Sequence, residues 1–283
     1  GWVRPLRRQL ALLAVPCGLW WVTFGALFTP AGWAPAPPPG PSLSVLTFNV
    51  RFDQHSPERV LEVIRQSKAD VVALQELTTG LDAFLWQNLQ ATYPYSVTAA
   101  ADWPWGSGIY SRLPIALVEN RATYQGLLDT QEVRLTWLGR SVRLLNFHPA
   151  PPTLYMNWTE IAGVPIPEPY DYRADVRHDQ VRGLVARLTA SAEPTILACD
   201  CNLDPASYDY GEITGVLADS FREAGWGFGH TLYFNDRPNF AQSLPLVRID
   251  YVFHSAEWRA MEATALPEAS SNHRPVLVRF ALP

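Results

Sequence analysis

The chain has 283 residues, room for one large domain or two small ones. It carries 22 basic and 27 acidic residues, a net charge of −5. Only Arg4, Arg7 and Arg8 are charged before Arg51. Setting these three aside leaves 19 basic against 27 acidic residues, a net of −8. Such a balance disfavours a long polyanionic partner, because nonspecific nucleic-acid affinity comes from Lys and Arg on phosphates.

Residues 9–29, QLALLAVPCGLWWVTFGALFT, contain no charge. A bilayer core takes roughly 20 apolar residues, so the run is read as one N-terminal transmembrane helix. The arginines on its N-terminal side put the N-terminus in the cytoplasm. Residues 1–29 are thus the expected anchor in the cytoplasmic membrane, single-pass, with the rest of the chain outside. A cleaved signal peptide ending near Ala34-Pro35-Ala36, giving a secreted protein, is the alternative. Residues 30–41, PAGWAPAPPPGP, form a Pro-rich linker. The folded domain is expected over 42–283, as a monomer without internal repeats.

Strands are expected at 43–50, 70–76, 106–112, 115–120, 131–138, 141–148, 194–200, 247–254 and 274–280. Helices are expected at 56–69, 80–90, about 171–190 and near 208–217. Ser56 is a candidate N-cap and Pro57 suits the first helical position. Strands mixed with helices suggest two sheets packed together with helices outside. Cys199 and Cys201 stand two apart on an expected strand, too close along it for an easy bridge. They are read as core residues, and the redox compartment is left open.

Apolar runs here end in polar residues of particular kinds. Asn49 ends the first, Glu76 the second, His148 the run VRLLNF, and Asp200 with Asn202 the run TILA. Asp250 interrupts VRIDYVF, and Asn272 with His273 precede the last strand. Such residues can gather at one rim of a sheet. Carboxylate and amide oxygens suit a hard divalent cation, Mg²⁺ or Mn²⁺. Histidines supply acid–base or phosphate contacts. Together these parts make a metal-assisted phosphoester hydrolase. A Gly-rich phosphate loop, a GxSxG elbow and an HExxH zinc site are missing.

The set resembles the endonuclease/exonuclease/phosphatase superfamily, with its deoxyribonuclease I-like fold. The resemblance runs over roughly 43–282. It rests on LTFNV, VVALQE, GSGIYSR, LLNFHPAPP, ACDCN, RIDYVF and SNHRPV in family order. It implies an α/β four-layer sandwich of two mixed β-sheets flanked by helices. It implies Glu76 as metal ligand, with Asn49 and Asn272 assisting. It implies that His273 pairs with Asp250 and acts as general base or phosphate grip. Asp200 and Asn202 would orient water and a phosphate oxygen, and His148 would contact phosphate or assist the leaving group. Which of Asp200 and His273 takes the proton of water stays open.

The chain departs from the family pattern at Cys199 and Cys201, where Gly and Phe are usual. It departs at Arg51, where an acidic or aromatic residue is often found. It departs at Asn272, where Asp is common; the amide loses a charge, and weaker cation binding is expected. Arg112 in GSGIYSR, Arg177 on the helix 171–188, and His230 in GWGFGHTLYF are further candidate substrate contacts. Trp103 and Trp105 are read as lipid-dipping or loop-packing residues. The anchor and the acid balance favour a lipid-linked or small phosphoester substrate. A DNA or RNA nuclease is one alternative. A catalytically weakened phosphate-binding protein is another.

Overall fold

Strand β1 (Ser42–Asn49) shows how this sequence builds layers. Its Leu43 and Val45 enter one buried cluster while Leu46 and Phe48 enter another. Successive strand side chains point to opposite faces, so an unbroken apolar run serves two cores at once. The structure is a computed structural model. It describes residues 3–28, 40–53, 56–124, 126–161, 164–233, 247–267 and 270–282.

After β1 come α2 (Pro57–Ser67), β2 (Val71–Gln75), α3 (Thr79–Leu89), β3 (Tyr95–Ala99) and β4 (Ser107–Ser111). Next are β5 (Ile115–Tyr124), β6 (Leu127–Trp137), β7 (Arg140–Phe147), β8 (Thr153–Ile161) and β9 (Val164–Arg173). These lead into α4 (Asp175–Thr189), β10 (Thr195–Asp200), α5 (Tyr208–Thr214), β11 (Ala218–Asp219) and α6 (Ser220–Ala224). The chain closes with β12 (Asp250–His254), β13 (Arg259–Ala265) and β14 (Val276–Ala281).

The first sheet has the order β13-β14-β1-β2-β4-β3 and the second β11-β12-β10-β7-β6-β5. Both mix parallel and antiparallel pairs: β1 lies parallel to β2, and β10 parallel to β7. The core between the sheets joins Val45, Val71, Ile109 and Val278 to Leu144, Ile196 and Val252. Helices α2 and α3 cover the outer face of the first sheet through Val60, Ile64, Leu81 and Leu85. Helices α4 and α5 cover the second through Val181, Leu184 and Ile213. The expected four layers are present.

The expected membrane span is corrected. Helix α1 (Val3–Phe24) forms over the apolar run. However, no helix among the described residues is long and apolar enough to cross a membrane. The helix takes in Arg4, Arg7 and Arg8, while Gln9, Pro16, Gly18 and Thr23 dilute the remainder. Its C-terminal end rests on the domain. Phe28 meets Trp226 and Phe228 at ring distances of 5.1 and 5.4 Å, and Phe24 meets Phe228 at 5.5 Å. The linker at 30–41 lies outside the described residues apart from Gly40 and Pro41.

Two further differences bear on the site. The helix expected from 171 begins at Asp175, because 153–173 forms the hairpin β8–β9. All of β8 is exposed, including Leu154, Trp158 and Ile161. Cys199 and Cys201 are both fully buried, as expected of core residues, but they are joined in a disulfide with Cα atoms 5.1 Å apart.

Candidate active site

Alternation along the strands aims the polar residues at a common place. In β10, Ile196 and Ala198 face the core between the sheets, so Asp200 continues that face. In β12 the partner is Val252, which puts Asp250 on the same face. Leu144 does the same for Asn146 and His148, and Val45 for Thr47 and Asn49. Glu76 has the wrong parity for this face. Its φ of 57° is left-handed and breaks the alternation just past β2. Beyond it, Leu77 N donates to Gly106 O at 3.1 Å. A side chain at 106 would stand 2.0 Å from Leu77 O, so glycine is required there.

The resulting cluster spans both sheets. Asn49 Nδ2 donates to Glu76 Oε1 at 2.9 Å and to Asp200 Oδ2 at 2.8 Å. Its Oδ1 accepts from Arg51 N, so the amide positions two carboxylates by its nitrogen. Glu76 Oε2 accepts from Phe52 N at 3.0 Å. His148 Nε2 lies 3.5 Å from Asp200 Oδ2, and His273 Nε2 lies 3.9 Å from the same oxygen. His273 Nδ1 stands 3.0 and 3.1 Å from the two oxygens of Asp250. Ser271 ties the segment before β14 to the end of β1: its hydroxyl donates to Asn49 O at 2.8 Å and accepts from His273 N at 3.1 Å.

The electrostatics reflect burial set against charge. Burial alone would lower His273, but Asp250 and then Asp200 outweigh it and raise the imidazole to about 9. Burial opposes the charge of Asp200, yet His273, His148 and Asn49 together hold it at about 2. Burial also works against protonation of His148, and its contact with Asp200 turns the net shift upward. Asp250 is pushed up by burial, with His273 pulling the other way. Two buried carboxylates, Asp250 and Asp200, face the His273 ring and favour its charged form.

The donor set fits a divalent cation. Single atoms of Asp200, Asp250 and His273, all buried, lie within 4.8 Å of one another. Glu76 adds a third carboxylate through Asn49. Among the described residues, the buried Nδ1 of His148 has no hydrogen-bond partner. It is the other ring nitrogen, Nε2, that approaches Asp200.

The other expected contacts divide into those near the cluster and those away from it. Asn202 is next to the cluster, with Nδ2 donating to Pro149 O at 3.0 Å and its N to Asp200 Oδ1 at 3.1 Å. Asn272 is half-buried beside His273, and its carbonyl accepts from Tyr233 N at 2.8 Å. His230 stacks on Phe228 with ring centroids 5.2 Å apart, one residue from Thr231. Arg177 is engaged in an internal ion pair. It is buried, bonding Asp209 Oδ2 through Nε at 2.8 Å and Asn202 O through Nη1 at 2.5 Å. It braces Asn202 from behind. Arg112 is away from the cluster. Strand β4 runs antiparallel to β2, pairing Ser107 with Gln75 and Ser111 with Val71. Arg112 therefore ends up at the far end of β2, over the ring of Tyr93 at 5.2 Å.

Sequence reasoning gave no site role to several supporting residues. Ser271 lies inside SNHRPV, where a serine carries no signal of a role. Thr231 Oγ1 accepts from Ile249 N and Asp250 N at 3.1 and 3.2 Å. Gln75 Nε2 crosses the sheets to Asn146 Oδ1 at 2.7 Å, and the parity of Asn146 with Leu144 was the signal for it. Trp105 sits 5.5 Å from the His148 ring.

The fold has known counterparts. An endonuclease/exonuclease/phosphatase family protein from Bacteroides thetaiotaomicron superposes with a TM-score of 0.62 at 16% identity, covering 86% of this chain and 98% of that one. TDP2 from D. rerio, complexed with a single-strand DNA product, gives 0.63 at 17%, covering 86% and 100%. A mannosyl-6-phosphatase from Bacteroides thetaiotaomicron gives 0.59 at 16%, covering 85% and 100%. None of the curated proteins matches the chain by sequence. Residues 46–273 match the Endonuclease/Exonuclease/phosphatase family, so the chain belongs to that family and is a phosphoester hydrolase.

Proposed function

We propose that the protein hydrolyses a small phosphoester with the help of Mg²⁺ or Mn²⁺, outside the cytoplasm. The observation that carries this reading is the position of Asp200, in contact with Asn49, His148 and His273 at once. Glu76 and Asp200 would hold the cation, with Asn49 fixing both carboxylates. When bound, the cation would offset phosphate charge and promote attack by water. Asp250 keeps the Nδ1 side of His273 engaged and turns Nε2 toward Asp200. His148 approaches Asp200 from the second sheet, and Asn202 extends the rim.

A small substrate is favoured over duplex nucleic acid because the chain is acidic. An oxidising compartment agrees with the Cys199–Cys201 disulfide, a bond that reducing cytosol disfavours. A lipid-linked substrate is the narrower form of the reading. Its support is the exposed Trp226, two residues from the Phe228 ring that stacks on His230.

The test is a substrate panel on the full chain, with and without EDTA. It contains bis-p-nitrophenyl phosphate, a phospholipid, a polyprenyl diphosphate and DNA. Turnover of a small or lipid phosphoester that EDTA abolishes is expected. Turnover of DNA alone would replace this reading with a nuclease. No turnover and no Mg²⁺ or Mn²⁺ binding by calorimetry would replace it with a phosphate-binding protein.

A further inference from the structure

The Cys199–Cys201 disulfide encloses Asp200. Both sulfurs lie on the helix-covered side of the second sheet, among Leu197, Tyr251 and Val181. Asp200 points the other way, toward Asn49 and His148. Two residues along an extended strand span about 6.6 Å. Here the Cα atoms of Cys199 and Cys201 are 5.1 Å apart, so the chain is drawn in where β10 ends. The next residue, Asn202, turns to a left-handed φ of 50°. That turn lets its N reach Asp200 Oδ1 and its Nδ2 reach Pro149 O. Cys201 N is fixed to Ile249 O at 2.8 Å, beside Asp250.

We propose that this disulfide is a positioning element of the active site. The oxidised pair holds Asp200 and Asn202 in their working register, and the dithiol form is the slower hydrolase. The inference rests on the reading that Asp200 and Asn202 act at the phosphoester. Two free thiols would let the strand relax toward extended spacing and carry Asn202 out of line. Reduction by a dithiol such as dithiothreitol breaks the S–S bond and forms two S–H groups. The reductant gives up two electrons and two protons and closes to its own cyclic disulfide. Both cysteines are fully buried, so exchange waits for local opening of the chain.

The experiment uses the full chain carrying Cys17→Ser, which removes the exposed free thiol. Alkylation of the denatured protein, read by mass, should add no adduct before reduction and two after it. In this background Cys199→Ala, Cys201→Ala and the double variant are compared. Each single change should lower kcat about tenfold, because small misplacements of reacting groups are costly. The double variant should lose no more than either single one, since the bond is lost only once. KM should stay within about twofold, and amide exchange at 201–203 should quicken while the far-ultraviolet dichroism is retained. Reduced Cys17→Ser protein should show the same fall in kcat and recover it on reoxidation, a readout that stands even if the variants fold poorly. Wild-type kcat in the reduced protein, losses that multiply in the double variant, or two alkylated thiols before reduction would each overturn the inference. Asp200→Asn separates the two claims. If it keeps full activity, the site reading falls; if it is inactive while the disulfide is dispensable, only the positioning role of the disulfide falls.

Discussion

Asn49 and Asp200 stand 151 residues apart in sequence, yet the amide of one donates to the carboxylate of the other at 2.8 Å. The same nitrogen serves Glu76 at 2.9 Å. Asn49→Asp keeps the shape, removes both donated hydrogen bonds and adds a negative charge beside Glu76 and Asp200. A drop in kcat/KM of about 100-fold is expected, the scale of losing one well-placed donor. Steady-state kinetics alongside circular dichroism would check it. Near wild-type kcat/KM would remove Asn49 from the machinery.

Glu76→Gln and His273→Ala should each reduce kcat by about 10²–10⁴ without unfolding the domain. Thermal melts would separate the two effects. Wild-type rates in both variants would refute the site as drawn.

Arg177→Met tests a brace rather than a contact. The guanidinium is shared between Asp209 and the carbonyl of Asn202. Removing one member of a buried ion pair costs about 3–5 kcal/mol. The domain should lose stability by that order in urea unfolding. Activity well below the melting temperature should also fall, because Asn202 loses its anchor. Unaltered kcat in a destabilised protein would leave Arg177 with a purely structural part.

Asn272→Asp should tighten Mg²⁺ binding about tenfold, since added ligand charge raises the affinity of such sites. Isothermal titration calorimetry measures this directly. An unchanged Kd would mean that position 272 is not beside the ion.

Stability should depend on Glu132 in acid. Glu132 accepts from Arg143 at 2.7 and 2.9 Å and from Arg187 at 2.5 Å. Burial by itself would raise its carboxyl, but Arg143 and then Arg187 outweigh that and lower it. With the folded value below the ordinary 4.5, the unfolded chain takes up the proton first as pH falls. The contribution is complete above the ordinary value and is lost as pH drops from there through the folded value. Glu132→Gln should cost about 3 kcal/mol at pH 7, and the gap to wild type should narrow below pH 4.5. A gap that stays constant well below that pH would contradict this origin.

Much of the fold was legible because the strands are apolar on both faces, and runs such as LSVLTFNV and TILACD have few other uses. The site residues were legible as polar ends of those runs. Their shared direction was also in the sequence, since Asp200, Asp250, His148 and Asn49 continue the parity of Ala198, Val252, Leu144 and Val45. Arg112 was misplaced because a motif gives no strand direction; an antiparallel β4 carries it the other way. The hairpin β8–β9 was missed because Pro165, Pro167 and Pro169 and an exposed surface hide any alternation. The disulfide was missed because ideal strand spacing was assumed where the strand was already ending. The span was overread because absence of charge is not the same as sufficient hydropathy.

The first sheet supplies Asn49 and Gln75, and the second supplies Asp200, Asp250 and Asn146. The bonds Asn49–Asp200 and Gln75–Asn146 are stitches across the seam between two otherwise greasy slabs, and His273–Asp250 adds a third. Neither slab owns a working half of the chemistry. A slip of one against the other by a single residue would scatter the reacting groups before it exposed much oil. Catalysis is therefore a sensitive gauge of whether the two slabs are seated, and loss of turnover should herald any loosening of the sandwich.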